Sequence, residues 1–579
     1  MSFDFDLVVR GGTIYDGSGG SPFSADIAVS DGLIMQVGDI AGRGVEEIDA
    51  TGLTVTPGFV DIHTHYDGHA TWSDRLYPSS NHGVTTVVMG NCGVGFAPCR
   101  RADHDKLIAL MEGVEDIPGI VMAEGLPWTW ESFPSYLDFL DGRQFDMDVA
   151  AYLPHAPLRL YVMGERSMTR EPATEAEIAE MQRLAKEAID AGALGFATSR
   201  SINHKASDGR LTPSYTAAEA ELRGIAAGLA QSGRGIFQVI SDFDEPEEEF
   251  AMLRRIAEGS GRRMTFSLLQ MGNAPDRWRT VLAAAERASA EGVAVTAQVC
   301  GRPVGLLAGL ELSVNPFSFC PSYREIAELA FDERLAALLD PERRDRLVAE
   351  YPCSSWEPVA AALMAPQKIF RLTDDLDYEP ASEDSIAARA EAQGIPAARL
   401  LYDYLVEGDG RGVFYIPAAN FVGNDIGAVD AMMRSPITVP GLGDGGAHCG
   451  SICDASLPTY NLLRWTGEGE GKLTLPGMIR SLTADCARAV DLNDRGRIAR
   501  GLRADLNLID LGRLSLGRPH MIYDLPTGGG RLTQEARGYV ATIVAGKVTY
   551  REGVATGALP GRLVRGTRPA PQNARETAT

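Results

Sequence analysis

Residues 57–65 read Pro57-Gly58-Phe59-Val60-Asp61-Ile62-His63-Thr64-His65. An apolar run that ends in His-x-His reads as a buried strand with two imidazoles at its C-terminal end. Side chains alternate along a strand, so His63 and His65 point to one side and can offer two nitrogens to one metal ion. The segment before it, residues 4–55, reads as short strands with Gly-rich turns, such as the hairpin signal Asp31-Gly32. Residues 505–550 repeat that style at the other end of the chain. Between them, strand-like runs alternate with amphipathic helices. The clearest helix spans 174–190, with Thr174 as N-cap, Glu177 completing a capping box and Gly192 ending it.

The strand runs fall at 56–63, 85–90, 149–154, 194–198, 236–240, 264–269, 293–299 and 437–443, with a further run at 413–417. Eight strand–helix units predict an α/β fold of the TIM-type (β/α)8 class. The expected organisation is a small β-sandwich built from residues 1–55 and 491–560, and a barrel over 56–490. A lid-like insertion is expected at about 316–411, where the alternation breaks, and a mobile polar tail at 561–579.

Composition narrows the function classes. The chain has 579 residues with 54 Lys+Arg and 78 Asp+Glu, a net charge of −24. That balance argues against nucleic acid or an anionic membrane as partner. No run approaches 18 apolar residues, so no membrane span is expected, and the acidic N-terminus is no secretory signal. Eight scattered cysteines make no dense disulfide framework and no CxxC pair, which predicts a reducing, cytoplasmic setting.

Three further segments add chemistry: Gly90-Asn91-Cys92-Gly93, Gly195-Phe196-Ala197-Thr198-Ser199 and Gly443-Asp444-Gly445-Gly446. With the His-x-His motif, they make the chain resemble the amidohydrolase superfamily, in its N-acyl-D-amino-acid deacylase (D-aminoacylase) branch. The resemblance runs from about Phe5 to Gly566. It implies a hydrolase of carbon–nitrogen bonds other than peptide bonds, acting on a small-molecule substrate, and a tendency to homo-oligomerise. It implies that Cys92 is a metal ligand, for which a thiolate suits zinc, and that Asp444 takes the proton from the water the metal activates. The eighth, first and second strands are neighbours in a closed barrel, so Asp444, His63, His65 and Cys92 share one sector.

The sequence departs from the superfamily where histidines are usual on the fifth and sixth strands. Gln238 and Gln270 stand there. One divalent ion is therefore expected, held by His63, His65 and Cys92 with Asp444 as ligand or base. A site without metal is the alternative. His155 and His448 are candidates for contact with substrate. Arg200 and Arg302 are candidates for its carboxylate. His69 and His82 read as structural, His104 and His520 as surface residues. Two other readings stay open: hydrolysis of a cyclic amide, ester or carbamate at the same site, and a non-catalytic binding protein on this scaffold.

Overall fold

The computed structural model describes residues 3–353, 358–467, 469 and 471–571. Its centre is an eight-stranded parallel sheet. The barrel strands in order are Phe59–Asp61, Val84–Met89, Asp148–Pro154, Gly195–Arg200, Ile236–Ser241, Met264–Ser267, Val295–Val299 and Thr438–Pro440. Each pairs in parallel with the next, with one register shift, between Phe59 and Val60 in the first pair. The circle closes between the first and eighth strands just past their ends. There Thr64 bridges Gly445, His65 N–H donates to the Gly445 carbonyl (2.8 Å), and Asp444 N–H donates to the His63 carbonyl (3.1 Å). Several strands are buried throughout, as covering on both faces requires.

All eight expected barrel strands are present. The expected first strand divides at Gly58. Thr54–Pro57 joins the terminal sheet, and Phe59–Asp61 enters the barrel. A Cβ at Gly58 would lie 2.1 Å from Thr85 Oγ1, so only glycine lets the two backbones approach there. The helix expected at 174–190 forms at Glu175–Ala191. Thr174 caps it, Glu177 Oε2 accepts from Thr174 N–H (2.7 Å), and Gly192 leaves it at φ 115°.

Strands from both ends of the chain make one nine-stranded sheet. Thr54–Pro57 pairs on one side with Phe5–Ile14 and on the other with Leu506–Ile509. A third sheet, of Val304–Ala308, Phe370–Leu372 and Val413–Ala419, stands between the seventh and eighth barrel strands. The strand run at 413–417 belongs to it, not to the barrel. Leu310, Phe317, Leu347, Leu401 and Phe414 are buried in a separate core beside this sheet.

One expectation needs correction. The described part of the supposed mobile tail, 561–571, is docked: Leu563 and Val564 are buried, and Val564 N–H donates to the Val149 carbonyl (2.7 Å). Apolar side chains inside a polar stretch anchor it; residues 572–579 lie outside the described residues. Cys320 and Cys353 form a disulfide, while the other six cysteines are free and buried. Among the described residues no helix is long and apolar enough to cross a membrane.

Candidate active site

The C-terminal ends of the barrel strands open on a cavity of about 350 Å3. Its polar floor holds His63 and His65 from the first strand, Cys92 from the second and Asp444 from the eighth. Ligand atoms of His63, His65 and Cys92 all lie within 4.8 Å of one another, and all three residues are buried. His63 Nε2 is 3.3 Å from Cys92 Sγ. Asp444 Oδ1 stands 3.5 Å from His63 Nε2 and 3.7 Å from His65 Nε2. That oxygen is buried and accepts no hydrogen bond. A buried, unpartnered carboxylate oxygen facing two imidazoles is a donor set suited to a cation, so the residues fit a divalent metal.

The protonation states agree. Burial lowers His65 to about 4, against the pull of Asp444, and burial also lowers His63, so both imidazoles are neutral at pH 7, the form that ligates. Burial pushes Asp444 up, but the imidazoles of His65, His63 and His448 around it carry it well below the usual carboxylate range, so it is ionised at pH 7. Burial holds the Cys92 thiol high, and Glu115 and Asp444 add to this, so a cation is needed to draw off its proton. Cys92, Asp444 and His448 all take left-handed backbone (φ 55°, 47° and 53°). Such conformations cost energy in non-glycine residues and gather where geometry matters for function.

His63 has a fixed tautomer. Its Nδ1–H donates to Gln298 Oε1 at 2.7 Å, and Gln298 Nε2 in turn donates to Thr265 Oγ1. The Nε2 lone pair is thereby left toward Cys92 and Asp444. Sequence reading missed Gln298; the signal was a polar residue inside the apolar run Val295–Val299. It also missed Glu115, His204 and Arg277, all of which line the cavity. His204 follows the fourth strand and shares a hydrogen bond with Ser199 Oγ (2.8 Å).

Of the four residues proposed to meet substrate, His448 lines the cavity, with Nε2 4.0 Å from Asp444 Oδ2. The other three do not line it. His155 is fully buried, with Thr198 Oγ1 on one ring nitrogen and Glu221 on the other, each at 2.8 Å. Arg200 is spent on Glu249 (2.5 Å) and the Ala217 carbonyl (2.7 Å). Arg302 is buried, paired with Asp454 at 2.7 Å and stacked 3.9 Å from the Tyr378 ring centroid. Each has its polar head turned to a protein partner, Glu221, Glu249 or Asp454, and away from the cavity. The arginine that the cavity presents is Arg277. Its Nη1 is fixed by the Asp242 carbonyl (2.6 Å) and the Asp244 carboxylate (2.9 Å).

Gln238 is fully buried, with neither amide atom bonded. Gln270 lies past the sixth strand and turns to the segment after Ala419. Its N–H donates to Asn420 Oδ1, and its Oε1 accepts from Val422 N–H. Apolar walls complete the cavity, among them Ile240, Phe243, Leu268, Trp278, Leu442 and Val304.

Known proteins share this framework. An uncharacterised protein of Mycobacterium tuberculosis is 27% identical over 95% of this chain and 92% of its own. D-aminoacylase of Alcaligenes xylosoxydans xylosoxydans is 36% identical over 195 residues, 34% of this chain and 37% of its own. The crystal structure of N-acyl-D-glutamate deacylase from Bordetella bronchiseptica, complexed with zinc and a phosphonate inhibitor, superposes with a TM-score of 0.63 at 23% identity. It covers 97% of this chain and 99% of its own, and shows a common fold. The amidohydrolase family model matches residues 46–550. With that match over most of its length, and eight parallel strands that end on His63, His65 and Asp444, the chain belongs to the amidohydrolase family.

Proposed function

We propose that the chain is a metal-dependent hydrolase that deacylates N-acyl amino acids, with one zinc ion per chain held by His63, His65 and Cys92. The observation that carries this reading is the unpartnered Asp444 Oδ1, poised between the two imidazoles at the floor of the cavity. A divalent metal there would supply Lewis acidity, making a water nucleophilic at neutral pH and polarising the acyl carbonyl. The protein's own residues do the rest. Gln298 keeps Nε2 of His63 unprotonated. Asp444, ionised in the free site, accepts a proton at Oδ1 and later returns one to the leaving amine. Apolar walls exclude water and take the acyl chain or side chain of the substrate. Arg277, with Nε and Nη2 unbonded, offers a cation to the substrate's carboxylate.

Hydrolysis of an uncharged cyclic amide is the second reading. It is favoured by one observation: Arg277 already shares its charge with Asp244, and Glu115 and Asp242 line the same cavity. One experiment tests both readings. Zinc-loaded enzyme is offered N-acetyl-D- and N-acetyl-L-amino acids beside lactams, hydantoin-type rings and esters, with metal content measured by elemental mass spectrometry. Hydrolysis of the N-acetyl amino acids at one zinc per chain is expected. Turnover of rings alone transfers the proposal to the second reading, and a loaded enzyme inert to the whole panel overturns both.

A further inference from the structure

Glu115 sits where elementary physics disfavours a carboxylate. Its side chain is 2% exposed. It is the last residue of the helix His104–Glu115, whose C-terminal end carries partial negative charge, and no basic residue stands in that last turn. Its Oε1 accepts no hydrogen bond. The carboxylates of Asp444 and Asp67 add repulsion. Burial and these neighbours push the carboxyl well above its ordinary range, so its charged form calls for a cation nearby.

Glu115 faces two imidazoles, and His65 Nδ1, like Glu115 Oε1, has no hydrogen-bond partner in the free site. Oε1 lies 3.3 Å from His65 Nδ1, and Oε2 lies 3.9 Å from His448 Nε2. The backbone holds it there. His448 N–H donates to the Glu115 carbonyl, and Cys449 N–H donates to that of Asp116 (3.1 Å). Asp116 then ends the helix in the left-handed region at φ 50°. The helix end is therefore bound to the segment that follows Asp444, and the carboxylate cannot slide by a turn. Opposite it, the other imidazole has an uncharged partner, Gln298, in the matching place. The two histidines thus have their Nδ1 atoms toward protein acceptors and their Nε2 atoms toward Asp444.

We infer that Glu115 is a positioning residue of the metal centre: with the ion bound it would accept a hydrogen bond from His65 Nδ1–H and so turn the Nε2 lone pair to the ion. This rests on the metal site proposed above. A carboxylate behind a ligating histidine raises the basicity of the ring, and loss of such a partner weakens metal binding about 10- to 100-fold.

The test is the affinity of the full chain for Zn2+ alone, by competition with a chromophoric chelator after metal removal. Glu115→Gln keeps the shape and the acceptor but removes the charge, and Glu115→Ala removes both. Both are expected to bind Zn2+ more weakly, by about 10- to 100-fold for the alanine variant and less for glutamine. In a His65→Ala background, Glu115→Gln should cause no further loss, because its effect passes through His65. Wild-type affinity in both single variants overturns the inference. So does a Glu115→Gln effect that persists undiminished without His65, since that marks a merely structural role. Failure of the wild-type chain to bind Zn2+ overturns the metal site and this inference together. If the alanine variant does not fold, the near-isosteric glutamine variant still decides.

Discussion

Replacing Asp444 by Asn removes one charge and leaves the volume unchanged. Oδ1 faces His63 Nε2 at 3.5 Å and His65 Nε2 at 3.7 Å, and Oδ2 faces His448 Nε2 at 4.0 Å. The ionised carboxylate is the form those imidazoles favour, so at pH 7 the wild type has a base here and the amide has none. A positioned acid–base group contributes about 10²- to 10⁴-fold, or roughly 3 to 5 kcal/mol of barrier. The loss should fall in kcat, with KM little changed, because the proton moves only in the chemical step. His448 is the next base in line, so Asp444→Asn with His448→Ala should lose more than either alone. Zinc content should stay near one per chain, since His63, His65 and Cys92 remain. The assay is steady-state hydrolysis of the best N-acyl amino acid, with zinc measured on the same sample. A variant within tenfold of wild-type kcat at full zinc loading would refute the role given to Asp444.

Cys92→Ser should weaken zinc binding, and the thiolate-to-cobalt charge-transfer band of the Co2+-loaded protein should vanish; an unchanged band rules Cys92 out as a ligand. Arg277→Met should raise KM for N-acyl amino acids by about tenfold to a hundredfold, the worth of a charged hydrogen bond, and leave the matching carboxamides unaffected. Equal KM values in the two enzymes would free the carboxylate from Arg277. Burial holds His82 at about 4 in the fold, against about 6.5 unfolded. Between those pH values the unfolded chain binds more protons, so stability is full above pH 6.5 and falls with pH, by about 2 kcal/mol at pH 5. His82→Gln should narrow the gap between unfolding at pH 8 and pH 5, read from urea midpoints; an unchanged gap refutes the assignment.

The barrel was legible because its strands are apolar runs broken by amphipathic helices, and hydrophobic period is a local signal. His63, His65, Cys92 and Asp444 were legible because each ends a strand whose end position the barrel dictates. Arg200 and Arg302 misled for the same reason: both follow strands, but a side chain's direction depends on partners far away, Glu249 in one case and Asp454 in the other. His155 misled likewise, since Glu221 lies 66 positions along the chain. Glu115 left a trace, a charged residue one turn past Met111 on the buried face of its helix. Its meaning needed His65 beside it. Arg277 left none, because it opens a helix like many surface arginines and only the fold turns it to the cavity.

The sheet inserted between the seventh and eighth strands contributes Val304, Ala418 and Ala419 to the cavity wall, while the groups that face Asp444 come from the barrel. The rest of the wall, with Ile240, Phe243, Leu268, Arg277 and Trp278, comes from the barrel itself. The same excursion of the chain, residues 304–419, also braces the segment after Asp444: Leu307 N–H donates to the Ser451 carbonyl (2.7 Å) and Ser313 N–H to that of Gly450 (2.9 Å). The excursion is thus wall and brace at once, so a change in it reshapes the cavity and loosens the hold on the His448 segment together, and the two effects are inherited as one.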